Sequence, residues 1–156
     1  MLAFRSGMVT LHVNGQTHHV NGGGLRTLAE ALREDLSLTG TKVACGEGTC
    51  GSCTVLIDDR PQLSCLTLLA AVDGSSIRTV EDGGELLARL QAAFVAEDGL
   101  QCGFCTPGQL MSAVALLERD PKPDTGQIVD AMSGNLCRCG AYEGIAAAVA
   151  RVAAES

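Results

Sequence analysis

The sequence predicts an α+β protein with a sheet-containing first half and a helical second half. Before residue 81, several short runs alternate apolar and polar residues with the period of two that half-buried strands show. After Glu81-Asp82-Gly83-Gly84 the apolar residues recur with a helical period of about 3.6. We therefore predict two domains, over residues 1–82 and 83–156.

The first half contains signals for five short strands and one helix. Asn14-Gly15 is a strong two-residue hairpin signal between two strand-forming runs. Thr27 and Glu30 have the spacing of a capping box, which predicts a helix over residues 27–35. The predicted strands form a hairpin over residues 8–20, a second hairpin of 54–57 and 62–65 around a turn at 58–61, and a last strand over 75–80.

The second half contains four amphipathic segments, which predict a small helical bundle. Thr106 is expected to cap the second helix, with Pro107 in its first turn. We interpret the apolar stripes of these segments as core rather than as a cofactor site. The predicted helices cover residues 85–97, 106–119, 124–132 and 142–154.

Composition and charge limit the classes of function. A net charge of −7 disfavours binding to nucleic acid or to anionic membranes, and no stretch has the length of a transmembrane helix. Residues 1–7 carry neither the apolar run of a signal peptide nor a twin arginine, so we expect a cytoplasmic protein without membrane insertion. The eight cysteines are then expected to be reduced and to bind metal rather than to form disulfides.

Four cysteines form a first set in the sheet-containing half. Cys45, Cys50 and Cys53 have the spacing Cys-x4-Cys-x2-Cys, and Cys65 follows after eleven more residues. This is the plant-type spacing by which four thiolates hold a two-iron, two-sulfide cluster. The interleaved glycines suit a loop that turns sharply around a cluster and directs backbone N–H groups at its sulfurs.

Two other interpretations of this half are weaker. Residues 46–51 match the dinucleotide fingerprint G-x-G-x-x-G, but a strand follows at 53–57, where that fingerprint requires a helix. The histidines His12, His18 and His19 could suggest a Rieske-type cluster. They lie on a predicted hairpin far from the cysteines in sequence, so we expect solvated strand residues.

The remaining cysteines form a second set in the helical half. Cys102-x2-Cys105 and Cys137-x-Cys139 are separated by thirty-one residues, and each pair directly precedes a predicted helix. Helix N-termini favour an anionic group, which an iron–sulfur cluster would supply. Four cysteines in two pairs also form structural zinc sites, so spacing alone leaves both metals open. Arg138 is expected to be a solvated or phosphate-facing cation rather than a catalytic group, and a cation there would raise the reduction potential of a nearby cluster. Glu47 is expected to be a solvated loop carboxylate.

Taken together, these motifs resemble a known family over roughly residues 8–152. The chain is similar to the small iron–sulfur subunit of the molybdenum hydroxylases, the group of xanthine dehydrogenase and aerobic carbon monoxide dehydrogenase. Four motifs in a fixed order make the resemblance specific. The matching segments are Cys45–Val55, Ser64–Leu66, Gln101–Gly108 and Gly134–Cys139.

The resemblance implies a fold and a ligand set for each domain. The first domain is expected to be a β-grasp, plant-type ferredoxin-like fold with one [2Fe–2S] cluster, and the second a four-helix domain with another. The implied ligands are Cys45, Cys50, Cys53 and Cys65 for the first cluster, and Cys102, Cys105, Cys137 and Cys139 for the second.

The resemblance also implies a place in an electron-transfer complex. A large subunit would carry the molybdopterin cofactor and a medium subunit would carry FAD, in a hetero-oligomer that could be a dimer of heterotrimers. Electrons would pass from molybdenum to the helical-domain cluster, then to the ferredoxin-like cluster and to FAD. Gln101 and Cys139 would approach the pterin. A free two-cluster ferredoxin and a zinc-stabilised interaction module remain as alternatives, and the variable residues 58–61 and 140–142 leave the substrate open.

Overall fold

A mixed five-stranded sheet forms the first half of the chain. The computed structural model describes residues 7–155, so residues 1–6, which contributed to the expected cytoplasmic location, lie outside this range. The sheet order is β2-β1-β5-β3-β4, in which β1 and β5 are parallel and the other neighbours antiparallel. This arrangement confirms the predicted α+β, ferredoxin-like half. The strands are β1 (Met8–Val13), β2 (Gln16–Asn21), β3 (Thr54–Ile57), β4 (Arg60–Leu63) and β5 (Ser76–Arg78).

The second hairpin differs from its prediction in register. Its turn contains two residues, Asp58 and Asp59, both with positive φ (48° and 62°), as a tight hairpin turn requires. Strand β4 therefore begins at Arg60 rather than at Gln62. As a consequence, Cys65 lies beyond the strand and not at its end, which frees it to approach the loop that carries the other cysteines.

The helix of the first half packs its apolar side under the sheet. Helix α1 (Leu28–Glu30) continues as a wider π-helical segment (Ala31–Asp35), and the predicted capping box of Thr27 and Glu30 is confirmed in both directions. A short 3-10 helix (Leu69–Val72) was not predicted. The buried residues of this core are Val9, Leu11, Val13, Val20, Leu28, Ala31, Leu32, Val55, Leu69, Val72 and Ile77.

Four helices form the second half, as predicted. One correction concerns Thr106: the N-cap position of the second of these helices is held by Cys105, and no side chain caps that end. Thr106 is instead the first helical residue, because the turn from Gly103 already brings the chain into helical geometry at Cys105. The helices are α2 (Glu85–Ala96), α3 (Thr106–Arg119), α4 (Thr125–Met132) and α5 (Tyr142–Ala154).

The two halves pack directly on each other through α3 and β3. Leu56 of β3 is completely buried within the core of the helical half, which also contains Leu90, Phe94 and Met111. The predicted domain boundary at residues 82/83 falls in the loop between β5 and α2. Within residues 7–155, no helix is both long and apolar enough to span a membrane.

Candidate metal centres

The first cysteine set converges where the loop of residues 45–53 meets the segment after β4. Cys53 and Cys65 are buried, whereas Cys45 and Cys50 are half-buried. Gly48 has a positive φ of 82°, and a Cβ atom there would overlap the Leu66 side chain. The positive φ favours glycine at this point, whereas the exposed Leu66 side chain could move away from an added Cβ atom.

The thiol pKa values within the first set are shifted in opposite directions. The backbone N–H of Glu47, the Thr49 hydroxyl and Cys50 lower the pKa of the Cys45 thiol to about 5. Burial, followed by the contact with Cys53, raises the pKa of Cys65 to about 11. The two shifts have different causes: N–H and O–H groups stabilise a negative sulfur at Cys45, and lost hydration destabilises one at Cys65.

The second cysteine set lies at the N-terminal ends of α3 and α5. Cys105 occupies the N-cap position of α3. The backbone N–H of Ala141, the N-cap residue of α5, donates to Cys137 Sγ at 3.4 Å. Cys102 is exposed, Cys137 is buried and Cys139 is half-buried. The prediction that both pairs directly precede helices is confirmed, and at Cys137 a helix-end N–H group does point at sulfur.

This second set shows the same asymmetry. The N–H of Phe104, followed by a contact with Cys139, lowers the pKa of Cys102. Burial, followed by the hydrogen bond with Cys137, raises the pKa of Cys105 to about 12. At Cys137 burial acts in the same upward direction, but hydrogen bonds led by the Ala141 N–H outweigh it, so the pKa of this thiol is lowered.

Both cysteine sets fit a bound cationic centre. Contacts between thiols bring the members of each set together, and one thiol in each set resists ionisation by burial. Four thiolates would therefore need added positive charge, which iron supplies in an iron–sulfur cluster. Within residues 7–155, no group of three or more His, Cys, Asp or Glu side chains is placed to hold a single metal ion. A two-iron cluster distributes its ligands over two metal atoms.

A cavity of about 410 Å³ that opens to solvent borders residues of both sets. Three cysteines of the second set and one of the first contribute to its wall. Exposed apolar side chains, Phe104, Leu136 and Tyr142, stand around it with 45%, 53% and 49% of their surface accessible. The lining residues are Ala44, Cys50, Ser52, Cys102, Phe104, Cys105, Leu136, Cys137, Arg138 and Tyr142.

A direct backbone contact joins the two sets. The N–H of Leu136 donates to the carbonyl of Cys50 at 2.9 Å, and Leu136 immediately precedes Cys137. Beside it, Asn135 makes hydrogen bonds to both halves of the chain. Asn135 has no role among the sequence-based predictions beyond its membership of the Gly134–Cys139 motif. The signal in the sequence that could have indicated a role for Asn135 was its position in the short segment before Cys137.

The other predicted residues lie at the surface. Gln101 is exposed and makes no hydrogen bond within the described part of the chain, so the structure leaves its side chain available to a partner. Arg138 is exposed, as expected of a solvated cation, and exposed Glu47 accepts a hydrogen bond from Thr49 at 3.3 Å. Of the histidines, His12 and His19 are exposed and bond to threonines of the same hairpin.

Family models match both halves of the chain. Residues 11–71 match the 2Fe-2S iron-sulfur cluster binding domain. Residues 76–150 match the [2Fe-2S] binding domain.

Two curated relatives extend over most of the chain. The small subunit of nicotine 6-hydroxylase from Paenarthrobacter nicotinovorans is 50% identical over 142 residues, which cover 90% of this chain and 86% of the relative. A subunit of the probable xanthine dehydrogenase from Bacillus subtilis is 42% identical over 144 residues, with 92% and 83% covered.

Solved structures share the fold. Quinoline 2-oxidoreductase from Pseudomonas putida 86 contains a chain that superposes with a TM-score of 0.84 at 44% identity, covering 96% of each chain. The aldehyde oxidoreductase from Desulfovibrio desulfuricans superposes with a TM-score of 0.90 at 35% identity. In that protein the match covers 96% of this chain but 17% of the longer one.

Proposed function

Because this chain belongs to the family of small iron–sulfur subunits of the molybdenum hydroxylases, we propose that it is the electron-transfer subunit of such an oxidoreductase. It carries two [2Fe–2S] cluster domains and connects a molybdenum centre on a large subunit with FAD on a medium subunit. When bound, each cluster accepts and releases single electrons. The chain's own residues hold, space and shield the clusters, which is the usual share of a protein in cofactor chemistry.

We assign the cluster ligands to the two cysteine sets. Convergence of the thiols and the cation requirement of each set support this assignment. The predicted division into domains at residues 82/83 would give each domain one cluster. The ligands would be Cys45, Cys50, Cys53 and Cys65 in the first domain, and Cys102, Cys105, Cys137 and Cys139 in the second.

The observation that carries the proposal is the Leu136–Cys50 hydrogen bond at 2.9 Å. It connects the peptide unit next to Cys137 with the carbonyl of a cysteine in the other set. The two candidate centres are thereby joined through one hydrogen bond and the covalent bonds of Cys50, Leu136 and Cys137. Such a contact provides a short route for electrons between two centres.

The direction of electron flow depends on which cysteine set faces the large subunit. Gln101 has a free amide next to exposed Cys102, and an amide offers both donors and acceptors for the edge of a pterin. We therefore propose that Gln101 and the Cys139 region face the molybdopterin of the large subunit. The apolar side chains of Phe104, Leu136 and Tyr142 would be covered in that contact.

The remaining parts of the proposal concern assembly and location. The complex would contain one copy each of the large, medium and small subunits, and could pair into a dimer of heterotrimers. Eight unpaired thiols fit the reducing cytoplasm.

Purification from the native host tests the function. We expect the chain to elute with larger subunits that contain molybdenum and flavin, and reduced samples to give two distinct [2Fe–2S] signals in EPR spectra. A chain that elutes alone with both clusters would support the free ferredoxin. A colourless protein that contains zinc and no sulfide would exclude the electron-transfer function altogether.

A further inference from the structure

Asn135 occupies the junction between the two cysteine sets. It lies in the loop between α4 and α5, two residues before Cys137, and is only 4% exposed. On its other side is Gly51, the residue that follows Cys50. A side chain this deeply buried, with one donor group and one acceptor, needs partners for both, and it finds them in different halves of the chain.

The side-chain amide of Asn135 connects the cluster loop with α3. Its Nδ2 donates to the Gly51 carbonyl at 2.9 Å, and its Oδ1 accepts from the Ser112 hydroxyl at 2.7 Å. A carbonyl oxygen can only accept, so Gly51 determines which end of the amide faces the loop. Thr54 completes the group, because its hydroxyl donates to the same Gly51 carbonyl at 2.7 Å.

The backbone of Asn135 is held as well. Its carbonyl accepts from Nε2 of Gln109, a completely buried residue, at 2.9 Å. The next amide, that of Leu136, donates to Cys50. Two consecutive carbonyls of the first loop, at Cys50 and Gly51, therefore receive hydrogen bonds from two consecutive residues of the second.

The backbone segments around Asn135 are in close contact with each other. A Cβ atom on Gly51 would overlap the carbonyl of Gly134, and one on Gly108 of α3 would overlap the carbonyl of Gly51. Glycine at these positions lets three backbone segments approach each other more closely than side chains would permit. Backbone contact therefore sets the closest approach of the loops, and the hydrogen bonds keep the loops in that contact.

We propose that Asn135 is the positioning residue for electron transfer between the two centres, because it holds the Cys50 and Cys137 loops at a fixed separation. The inference rests on the proposed electron-transfer function. Through its side chain Asn135 holds the Gly51 peptide in place, and through its backbone it aims the Leu136 N–H at the Cys50 carbonyl. Loss of the amide would lengthen this contact without removing a cysteine.

Asn135→Asp tests the role with little change of shape. A carboxylate still accepts from Ser112, but it cannot donate to the Gly51 carbonyl and faces that oxygen with negative charge. We expect both clusters to be retained and the transfer of electrons between them to slow severalfold, because the rate of electron tunnelling falls exponentially as the distance between two centres grows. We also expect weaker magnetic coupling between the two reduced clusters and faster hydrogen exchange at the Leu136 amide.

The measurements are made on the assembled complex. Rapid reduction followed by optical or freeze-quench EPR detection gives the transfer rate, and hydrogen exchange with mass spectrometry reports on the Leu136 amide independently of activity. Ser133→Ala is the matched control, because its exposed side chain bonds only within its own turn. We expect this control to match the wild-type protein in every measurement.

Two results for the Asn135→Asp protein would overturn the inference. One is an Asn135→Asp protein with wild-type transfer rate and coupling. The other is a protein with lowered thermal stability alone, which would give Asn135 a purely structural role. If Asn135→Asp does not fold, Thr54→Val and Ser112→Ala can be used, because each removes one hydrogen bond of the group around Asn135. Both variants should slow electron transfer by a smaller factor. An unchanged transfer rate in both would also refute the inference. A wild-type complex without two [2Fe–2S] signals would instead refute the proposed function itself.

Discussion

Arg78 on β5 donates two hydrogen bonds to the carboxylate of Glu118 on α3, at 2.8 and 2.6 Å. The pair joins the sheet to the helical half, and Asp59 adds a third contact to the same guanidinium at 2.9 Å. The hydrogen bonds to Glu118, more than the nearby charges, raise the pKa of Arg78 above its ordinary value. A charge pair at one point and Asn135 at another therefore reinforce the apolar packing of α3 on β3 that joins the two halves.

Glu118→Gln should loosen this connection. It keeps the shape of the side chain and removes the charge, so we expect the free energy of unfolding to fall by about 1 kcal/mol, a value limited by the partial exposure of the pair. The loss should shrink at high salt, because screening already weakens the wild-type pair. Urea denaturation at low and high salt measures both effects.

Glu97→Gln is the control for this prediction. It removes an ion pair with Arg151 at 2.9 Å that lies entirely within the helical half. We expect a smaller stability loss, without a change in the coupling between the two halves. A Glu118→Gln protein as stable as the wild type at low salt would contradict the role assigned to Arg78.

Substitution of one cysteine should remove one cluster and spare the other. Cys137→Ser removes a buried thiol at the α5 N-terminus that belongs only to the second set. We expect the iron content to fall from about four to about two atoms per chain, with one of two EPR signals lost. Cys53→Ser should remove the other signal, and full occupancy of both centres in either variant would disprove the ligand assignment.

Gly51→Ala should disrupt the junction between the loops. The residue has a φ of +72°, and the added Cβ would overlap the Gly134 carbonyl. Gly74→Ala is a matched control, because Gly74 also has a positive φ (+79°) but no atom within 4 Å of the new Cβ. Both variants bear the conformational cost of about 1–2 kcal/mol.

Only Gly51→Ala adds the steric overlap, so we expect it to lose several times more stability than Gly74→Ala and to bind its clusters incompletely. Thermal unfolding and iron analysis compare the two proteins. Equal effects in both variants would show that the backbone conformation alone, rather than the close approach of the loops, requires glycine at position 51.

In the metal-free protein, the cysteines of the first set should react at different rates. The Cys45 pKa of about 5 lies below the ordinary value, so its thiolate is present at neutral pH and is lost as the pH falls through about 5. The pKa of Cys65 is raised to about 11, so this thiol stays protonated until the pH is strongly alkaline. At pH 7, iodoacetamide should therefore modify Cys45 well before Cys65.

Mass spectrometry of partially alkylated protein, taken across a pH series, identifies the modified sites. The reaction of Cys45 should decline only below about pH 6, as its thiolate becomes protonated. Equal rates at the two cysteines near neutral pH would show that the loop does not hold the Glu47 and Thr49 donors around Cys45 once the metal is removed.

The α+β class, the four helices and the grouping of the cysteines into two sets followed from the sequence. The elements depend on local patterns, since strand and helix periods and capping residues operate within a few residues. The cysteine pairs are local as well, whereas their grouping into sets rested on the order of the motifs along the chain. The capping box at Thr27 and the bounds of α3 and α5 are confirmed for that reason.

The predictions were wrong where a local sequence signal is compatible with two structures. The segment of residues 58–61 is compatible with a longer turn, and only the positive φ of both aspartates moved β4 to begin at Arg60. Thr106 is a good capping residue by type, but the turn after Gly103 had already placed Cys105 in the capping position.

The sequence by itself separated the cysteines into two sets, because short spacings and interleaved glycines mark each loop. The spacing of the first set is that of a plant-type cluster, whereas the spacing of the second fits zinc as well, and only the order of all four motifs favoured a second cluster. The tertiary structure alone decided how the two sets are joined. The contacts of Asn135 with Gly51 and of Arg78 with Glu118 link residues 84 and 40 positions apart. No local pattern encodes such pairs, since they form only when α3 packs against β3 and brings the two loops together.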